Sequence, residues 1–153
     1  MKKLLFLLLF IPLVSVGQTS NEYYKMGYEK SLSKDYSGAI NDYTKSLELN
    51  PNSSPAYYNR GLVKYRIKDY YGSIADYTKG IEIINASIDK LNNQGKELDD
   101  KGTAITNQVL GDFYYNRAIS RWYINDLTGA CEDAKKSESL GVRFSEMIED
   151  ACN

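Results

Sequence analysis

The chain has 153 residues, with 19 Lys and Arg against 20 Asp and Glu, and 42% of its residues are hydrophobic. This composition is ordinary for one folded domain and excludes a collagen-like or wholly disordered chain. The near-zero net charge gives no electrostatic basis for binding nucleic acid. The chain has no histidine, which excludes Ser-His-Asp and Cys-His catalysis and zinc sites with imidazole ligands.

Residues 1–17 have the layout of a secretory signal peptide. Lys2 and Lys3 precede an apolar stretch, and small residues lead up to Gly17. The stretch is too short to span a bilayer comfortably, which takes about 20 residues. We expect cleavage after Gly17, leaving residues 18–153 as one exported domain, periplasmic or secreted, without stable membrane insertion. An uncleaved anchor or a buried N-terminal helix is the alternative.

The rest of the chain contains three copies of one sequence pattern, and the first two copies are 34 residues apart. Residues 23–27 match residues 57–61, and Asp-Tyr-Thr-Lys recurs at 42–45 and 76–79. A third copy begins at Tyr114, which corresponds to Tyr57, and residues 88–110 form an insert between the second and third copies. Each copy predicts two short amphipathic helices. One such hairpin cannot bury its apolar face alone, so the copies are expected to stack.

The repeated unit resembles the tetratricopeptide repeat (TPR). The aromatic, small and closing proline positions of the first copy are Tyr23, Gly27, Tyr36, Ala39, Tyr43 and Pro51. The resemblance implies an all-α fold, a right-handed superhelical stack of helix-turn-helix hairpins. Its repeats would span about residues 20–53, 54–87 and 111–141. It also implies core positions for the tyrosines in the packing slots, which are Tyr23, Tyr36, Tyr43, Tyr57, Tyr70, Tyr77 and Tyr114.

The insert, residues 88–110, predicts two long antiparallel helices that project from the stack. Apolar or small residues follow a coiled-coil spacing at Ile81, Ile84, Ile88, Leu91, Gly95 and Leu98. We expect a turn at residues 99–102 and an N-cap at Thr103. A flexible loop is the alternative, because residues 92–95 are poor helix formers.

The last residues predict a capping helix over 142–153 and a disulfide between Cys131 and Cys152. Each cysteine is about ten residues from the turn near Gly141, so an antiparallel hairpin brings them together. Two cysteines in an exported protein should pair, and two free buried thiols are the alternative. This ending is similar to that of exported repeat proteins of the Bacteroidetes.

The TPR resemblance implies that the first helix of each copy lines a concave, peptide-binding groove. The equivalent positions hold Tyr24, Lys25, Tyr28, Tyr58, Asn59, Leu62, Tyr65, Arg66, Tyr115, Asn116, Ile119, Trp122 and Tyr123. Tyrosine and tryptophan give large contact areas, and an asparagine amide both donates to and accepts from a peptide backbone. Packing between repeats is the alternative for the aromatic members.

Four cations near these positions have simpler interpretations. Arg60 and Arg117 follow the two groove asparagines and are interpreted as structural. Lys30 and Lys64 are interpreted as solvated. In chaperone-binding relatives, a clamp of lysine, arginine and asparagine holds a carboxylate tail. Its slots here hold Tyr24, Tyr28, Asn59, Asp112 and Asn116, of which one matches. Binding of an acidic tail is therefore not supported, because Asp112 would repel a carboxylate.

The sequence contains no recognisable catalytic, nucleotide-binding or metal-binding motif, and we predict neither an enzyme nor a cofactor. We predict an exported scaffold that binds a protein or peptide, with the insert hairpin as a further surface for oligomer formation. The alternative is an envelope glycan-binding module, since aromatic troughs also stack on sugars, or a structural subunit of a cell-envelope complex.

Overall fold

The structure is a computed structural model that describes residues 18–143 and Cys152, and within these residues the chain forms six α-helices and no strand. They are α1 (Ser20–Leu32), α2 (Tyr36–Leu49), α3 (Ser54–Arg66), α4 (Tyr70–Asn93), α5 (Asp100–Tyr123) and α6 (Leu127–Ser139). Each helix packs against the next along the chain, which confirms the predicted all-α stack of hairpins. The predicted signal segment lies outside the described residues, as do residues 144–151 and 153 of the predicted capping helix. Val142 and Arg143 are not helical.

Four of the six described helices begin with a short capping sequence, Asp-x-x-Gly. The carboxylates of Asp35, Asp69, Asp99 and Asp126 each accept a hydrogen bond from the backbone N–H of the glycine three residues later. A cap of this kind stabilises a helix by about 1 kcal/mol. Glycine is needed at the fourth position because a Cβ at Gly72, for example, would collide with the Asp69 carboxylate. The caps thus fix where the second helix of each hairpin begins and, in the third hairpin, where the first helix begins as well.

The three hairpins turn with the same backbone geometry. The residue before the capping aspartate has a positive φ in each, at Lys34 (65°), Lys68 (67°) and Asn125 (64°). The next N–H reaches back to the first helix, as in the 2.9 Å bond from Asp35 N to Lys30 O. This left-handed residue closes one helix and lets the next begin within three residues. The hairpins are therefore equivalent units.

Glycine allows close helix packing within the first two hairpins. Tyr43 and Tyr77 are fully buried, and each ring lies directly over a glycine of the preceding helix. A Cβ at Gly27 would come within 2.9 Å of the Tyr43 ring, and one at Gly61 within 2.8 Å of the Tyr77 ring. The third copy has Ala118 and Ala134 at the equivalent positions, both buried.

The remaining slot tyrosines are half-buried rather than fully in the core, although Tyr36 and Tyr114 pack against it. They are Tyr23, Tyr36, Tyr57, Tyr70 and Tyr114. Three of them, Tyr23, Tyr57 and Tyr114, lie beside cations. Lys45 Nζ is 5.3 Å from the centroid of Tyr23, and the guanidinium of Arg60 is 5.5 Å from that of Tyr57. A tyrosine ring can pack one face on the protein while the other attracts a cation. These rings therefore cover the core rather than fill it.

The insert forms no separate element but lengthens α4 and α5 to 24 residues each. Ile84 and Ile88 on α4 pack against the core cluster that contains Phe113. The expected turn and cap were wrong: the chain turns between Asn93 and Asp100, and the N-cap of α5 is Asp99.

Two residues of the insert therefore differ from their predicted roles. Gly95 lies in the turn at φ 64° with no atom within 4 Å of an added Cβ, so it does not belong to the seam. Thr103 lies inside α5, where its N–H donates a 2.9 Å bond to the Asp99 carbonyl.

The C-terminal end of the chain is tied to the last hairpin. Cys131 on α6 and Cys152 form a disulfide, with their Cα atoms 5.4 Å apart and a separation of 21 in sequence. None of the helices in the described residues is long and apolar enough to cross a membrane.

Candidate functional site

The first helices of the three hairpins share one face of the stack, because α1 contacts α3 and α3 contacts α5. Two cavities open on this α1–α3–α5 face and meet at Asn59. The Asp112 cavity, about 260 Å³, is lined by Tyr24, Ser54, Pro55, Tyr58, Asn59, Val109, Asp112 and Phe113. The Arg66 cavity, about 300 Å³, is lined by Tyr28, Ser31, Leu32, Lys34, Asn59, Leu62, Val63 and Arg66.

The two groove asparagines bond to tyrosines of the hairpin before their own. Asn59 Nδ2 donates to Tyr24 Oη at 2.8 Å, and Asn116 Nδ2 donates to Tyr58 Oη at 3.1 Å. Asn116 Nδ2 also donates to the carbonyl of Asp112 at 2.8 Å. The amide hydrogens therefore join neighbouring hairpins. Within the described part of the chain, the side-chain oxygen of Asn59 accepts no hydrogen bond.

Tyr24 and Tyr58 both line a cavity and pack between helices. Lining a cavity and packing in the stack are therefore not exclusive for these aromatics. Their ring centroids lie 5.8 Å from Tyr43 and 5.9 Å from Tyr77 respectively, and Tyr58 makes an edge contact with Phe113 at 5.0 Å. Burial raises the pKa of the Tyr58 phenol, and the nearby Asp112 charge raises it further. Tyr58 therefore stays a neutral O–H donor in ordinary buffers.

Three other predicted aromatics, Tyr65, Trp122 and Tyr123, form a separate cluster with Tyr70 at the far end of α3 and α5. Tyr65 contacts Tyr70 and Tyr123 at 5.7 and 5.8 Å, and Trp122 makes an edge contact with Tyr123 at 5.2 Å. Tyr70 and Tyr123 stack nearly parallel, 4.7 Å apart at 6°. Burial raises the pKa of Tyr65 to about 12. The structure thus divides the predicted trough into two cavities and this aromatic cluster.

Two further predicted groove residues, Tyr115 and Ile119, are half-buried on α5 and line neither cavity. Val109, Asp112 and Phe113 on the same helix line the Asp112 cavity instead. Val109 and Phe113 were not predicted for the groove, and Asp112 was considered only as a clamp position that would repel a carboxylate. Their spacing from Asn116 could have shown that they lie on the same face of α5. Residues three, four and seven apart share a helix face.

Buried ion pairs, rather than solvated lysines, lie behind this face. Asp76 is almost fully buried, and Arg60 donates to both of its oxygens, at 2.9 and 2.7 Å. Lys64 Nζ lies 2.9 Å from the same carboxylate. Lys30 Nζ lies 2.6 Å from the buried Asp42. The solvated assignment of the two lysines was therefore wrong, and Arg60 is structural through a carboxylate.

The third hairpin repeats this arrangement. Arg117 donates to both oxygens of Asp133, at 2.8 and 2.7 Å, and Arg121 lies 3.1 Å from it. The cation precedes the aspartate by the same interval in all three copies, at positions 30 and 42, 64 and 76, and 121 and 133. That repeated spacing could have revealed the pairs, because it joins facing positions of the two helices of a hairpin.

The two cavities differ in charge. Asp112 supplies a carboxylate to one, whereas Lys34 and Arg66 supply cations to the other. Between them lies Asn59 with its amide oxygen. The face thus offers aromatic and aliphatic walls, a hydrogen-bond acceptor and charges of opposite sign, which suits binding better than covalent chemistry. In the described residues, no group of three or more Cys, Asp or Glu side chains is placed to hold a metal ion.

The fold and this face define a repeat protein built from stacked helical hairpins. A family model described as TPR repeat matches residues 21–68, and one described as tetratricopeptide repeat matches residues 54–87. Residues 21–87 of the chain therefore resemble TPR repeats. No curated protein sequence matches it.

Solved TPR domains have the same fold. The first TPR of Spaghetti (RPAP3), bound to the HSP90 peptide SRMEEVD, has a TM-score of 0.65 at 16% identity, over 88% of both chains. The N-terminal domain of stress-induced protein-1 from C. elegans has a TM-score of 0.64 at 17% identity, over 86% of this chain and 91% of that one. The TPR2B domain of yeast Sti1, in its pHsp70 complex, has a TM-score of 0.62 at 18% identity, over 87% and 92%. At these identities the likeness is one of fold alone.

Proposed function

We propose that this chain is an exported, non-catalytic scaffold that holds an extended segment of a partner protein on its α1–α3–α5 face. One observation carries the proposal: two cavities of about 260 and 300 Å³ meet at Asn59 and together follow three consecutive hairpins. A row of cavities along a curved stack accommodates successive side chains of one extended segment.

Polar groups on this face fit a peptide backbone. The side-chain oxygen of Asn59 can accept from a peptide N–H, since only its amide nitrogen bonds to Tyr24. The phenols of Tyr24 and Tyr58 accept from asparagines, and each keeps a hydrogen to donate to a peptide carbonyl. The solved relatives named above include TPR domains with bound peptides.

Export is supported by the N-terminal sequence and by the cysteines. Residues 1–17 have the signal layout described above, and Cys131 pairs with Cys152. Structural disulfides persist mainly in oxidising compartments such as the periplasm or the extracellular space. Cell fractionation with a mass measurement tests this part: we expect the chain outside the cytoplasm and beginning at Gln18.

The groove is tested by binding of peptides selected from a random displayed library. Tyr28 is 47% exposed and lines the Arg66 cavity, whereas Tyr71 is 72% exposed and lines neither cavity. We expect Tyr28→Ala to weaken the selected peptides about tenfold, and Tyr71→Ala to leave them unchanged. Equal effects of both variants would contradict binding on this face.

The glycan-binding alternative has weaker support. Sugar rings stack on open aromatic faces, but Tyr70 and Tyr123 each cover one face of the other. The remaining rings of this cluster meet edge to face or tilted. A pull-down with peptidoglycan separates this alternative from peptide binding.

The insert hairpin is a second candidate surface, for self-association or as a contact within a larger envelope complex. Apolar side chains are exposed on the long helices and their turn: Leu98 (39%), Ile105 (56%) and Val109 (39%). Light scattering of the parent chain and of Ile105→Glu tests this. A dimer in the parent that is lost in the variant would support the hairpin as the interface, and a monomer in both would reject it.

A further inference from the structure

Among the described residues, Asp112 has no cationic partner, in contrast to the aspartates that hold the hairpins together. Within residues 18–143, no lysine or arginine forms an ion pair with it, and residues 144–153 contain neither residue type. Its Oδ1 accepts one hydrogen bond, from Gln108 Nε2 at 3.2 Å. By comparison, Asp42, Asp76 and Asp133 each pair with a lysine or arginine. The charge on Asp112 is therefore left for something outside the described chain.

The walls around this carboxylate are aromatic and aliphatic. Tyr24, Tyr58 and Phe113 contribute rings, and Pro55 and Val109 contribute aliphatic surface. The cavity holds about 260 Å³. A lysine side chain has five heavy atoms beyond Cα, and at about 30 Å³ each, the volume of a water in the liquid, they fit with room to spare.

We propose that the Asp112 cavity is a subsite for a basic side chain of the partner segment, a lysine or an arginine. The inference rests on the proposed function and names the chemistry of the segment. A methylene stem lies well on aromatic and aliphatic walls while its charged end reaches a carboxylate. Aromatic ring faces attract a cation further.

Other side chains fit this cavity less well. An acidic side chain meets repulsion from Asp112. An apolar one excludes water from the carboxylate without supplying a partner, and burying an unpaired charge is costly. The cavity therefore selects by charge, and a basic residue enters it at the lowest cost.

The test uses a displayed library of random seven-residue peptides, selected in parallel on the purified chain and on two isosteric variants. Asp112→Asn removes the charge from the cavity. Asp89→Asn is the matched control, because Asp89 is an exposed carboxylate on α4 that lines neither cavity and has no ion pair within the described residues. We expect one lysine- or arginine-rich position with the parent and with Asp89→Asn, and loss of that preference with Asp112→Asn.

A synthetic peptide from the selection then measures the effect. Replacing its basic residue by methionine should weaken binding to the parent about tenfold and leave binding to Asp112→Asn unchanged. Asp112→Lys should select an acidic residue at the same position. Peptides that bind the parent and Asp112→Asn equally, without a basic preference, would overturn the inference and leave the groove intact. Failure to enrich any peptide would instead count against the proposed function.

Discussion

The hydroxyl of Tyr24 accepts a 2.8 Å hydrogen bond from the amide of Asn59 and so joins the first hairpin to the second. Tyr58 and Asn116 repeat this bond one hairpin later, at 3.1 Å. The asparagine nitrogens therefore serve the stack, and Asn59 also lines both cavities. Stability and the proposed binding are therefore coupled at Asn59.

This coupling predicts how Asn59 and Tyr24 respond to substitution. Tyr24→Phe and Asn59→Ala each remove the bond and should each lower the free energy of unfolding by about 1 kcal/mol. Because both remove one interaction, the double variant should lose less than the two single losses added together. Urea unfolding of the four proteins measures this. Additive losses would show that the bond contributes nothing to the stack.

The buried carboxylate of Asp76 should matter far more than an exposed one. Asp76→Asn leaves Arg60 and Lys64 without their shared carboxylate, and breaking a buried pair typically costs about 3 kcal/mol or more. Glu82→Gln is the control, because the Lys79–Glu82 pair is 52% and 58% exposed and should contribute under about 1 kcal/mol. Similar losses in the two variants would contradict the structural role assigned to Asp76.

The hairpins could be predicted because the same residues return at a fixed interval, as Tyr23 does at Tyr57, and a repeated pattern of small and aromatic positions specifies one packing. The roles of the individual tyrosines could not be predicted from this pattern. Tyr43 on α2 faces Gly27, whereas Tyr57 on α3 lies beside Arg60, although both are tyrosines in repeat slots. A pattern of residue types does not record the facing residue, so the core was assigned too widely.

The start of α5 and the lining of the Asp112 cavity show the same limit of prediction from sequence. Asp99 and Thr103 are both good N-caps, and the glycine three residues after Asp99 decides between them, as at the other Asp-x-x-Gly starts. Asp112 falls on the groove face by its spacing from Asn116. That Phe113 and Val109 join it around a cavity depends on how far α5 extends beyond the repeat, which follows from tertiary packing.

Stability should fall at alkaline pH through buried phenols. Burial raises the pKa of Tyr43 to about 12, above the value of about 10 in an unfolded chain. The folded chain then holds protons that the unfolded chain releases. This contribution is fully present below pH 10 and is lost progressively as the pH rises toward 12.

Urea unfolding midpoints measured from pH 8 upward test whether stability falls as the pH rises. Tyr43→Phe should make the alkaline decline shallower, because it removes one group whose pKa differs between the two states. Tyr71→Phe, at a position 72% exposed, is the matched control and should leave the slope unchanged. A decline that is equally steep in both variants would show that Tyr43 does not contribute.

Gly61 should not tolerate even a methyl group. A Cβ there would lie 2.8 Å from the Tyr77 ring, and crowding of this kind in a packed core costs about 1–3 kcal/mol. Gly61→Ala should therefore lower the free energy of unfolding by that amount. In a Tyr77→Leu background the same change should cost much less, since the ring is gone. An equal cost in both backgrounds would point to backbone effects instead.

The disulfide should stabilise the C-terminal end of the stack through the chain it closes. Cys131 and Cys152 are 21 residues apart, and closing a loop of that length contributes about 3 kcal/mol in the chain-entropy account. Reduction of the parent chain should lower its urea midpoint and increase its mass by two hydrogens. The double variant Cys131→Ser, Cys152→Ser should start at the lower midpoint and not respond to reductant. Alkylation of both cysteines in the folded, unreduced parent would contradict the pairing. It would also remove the support that the bond lends to an oxidising compartment.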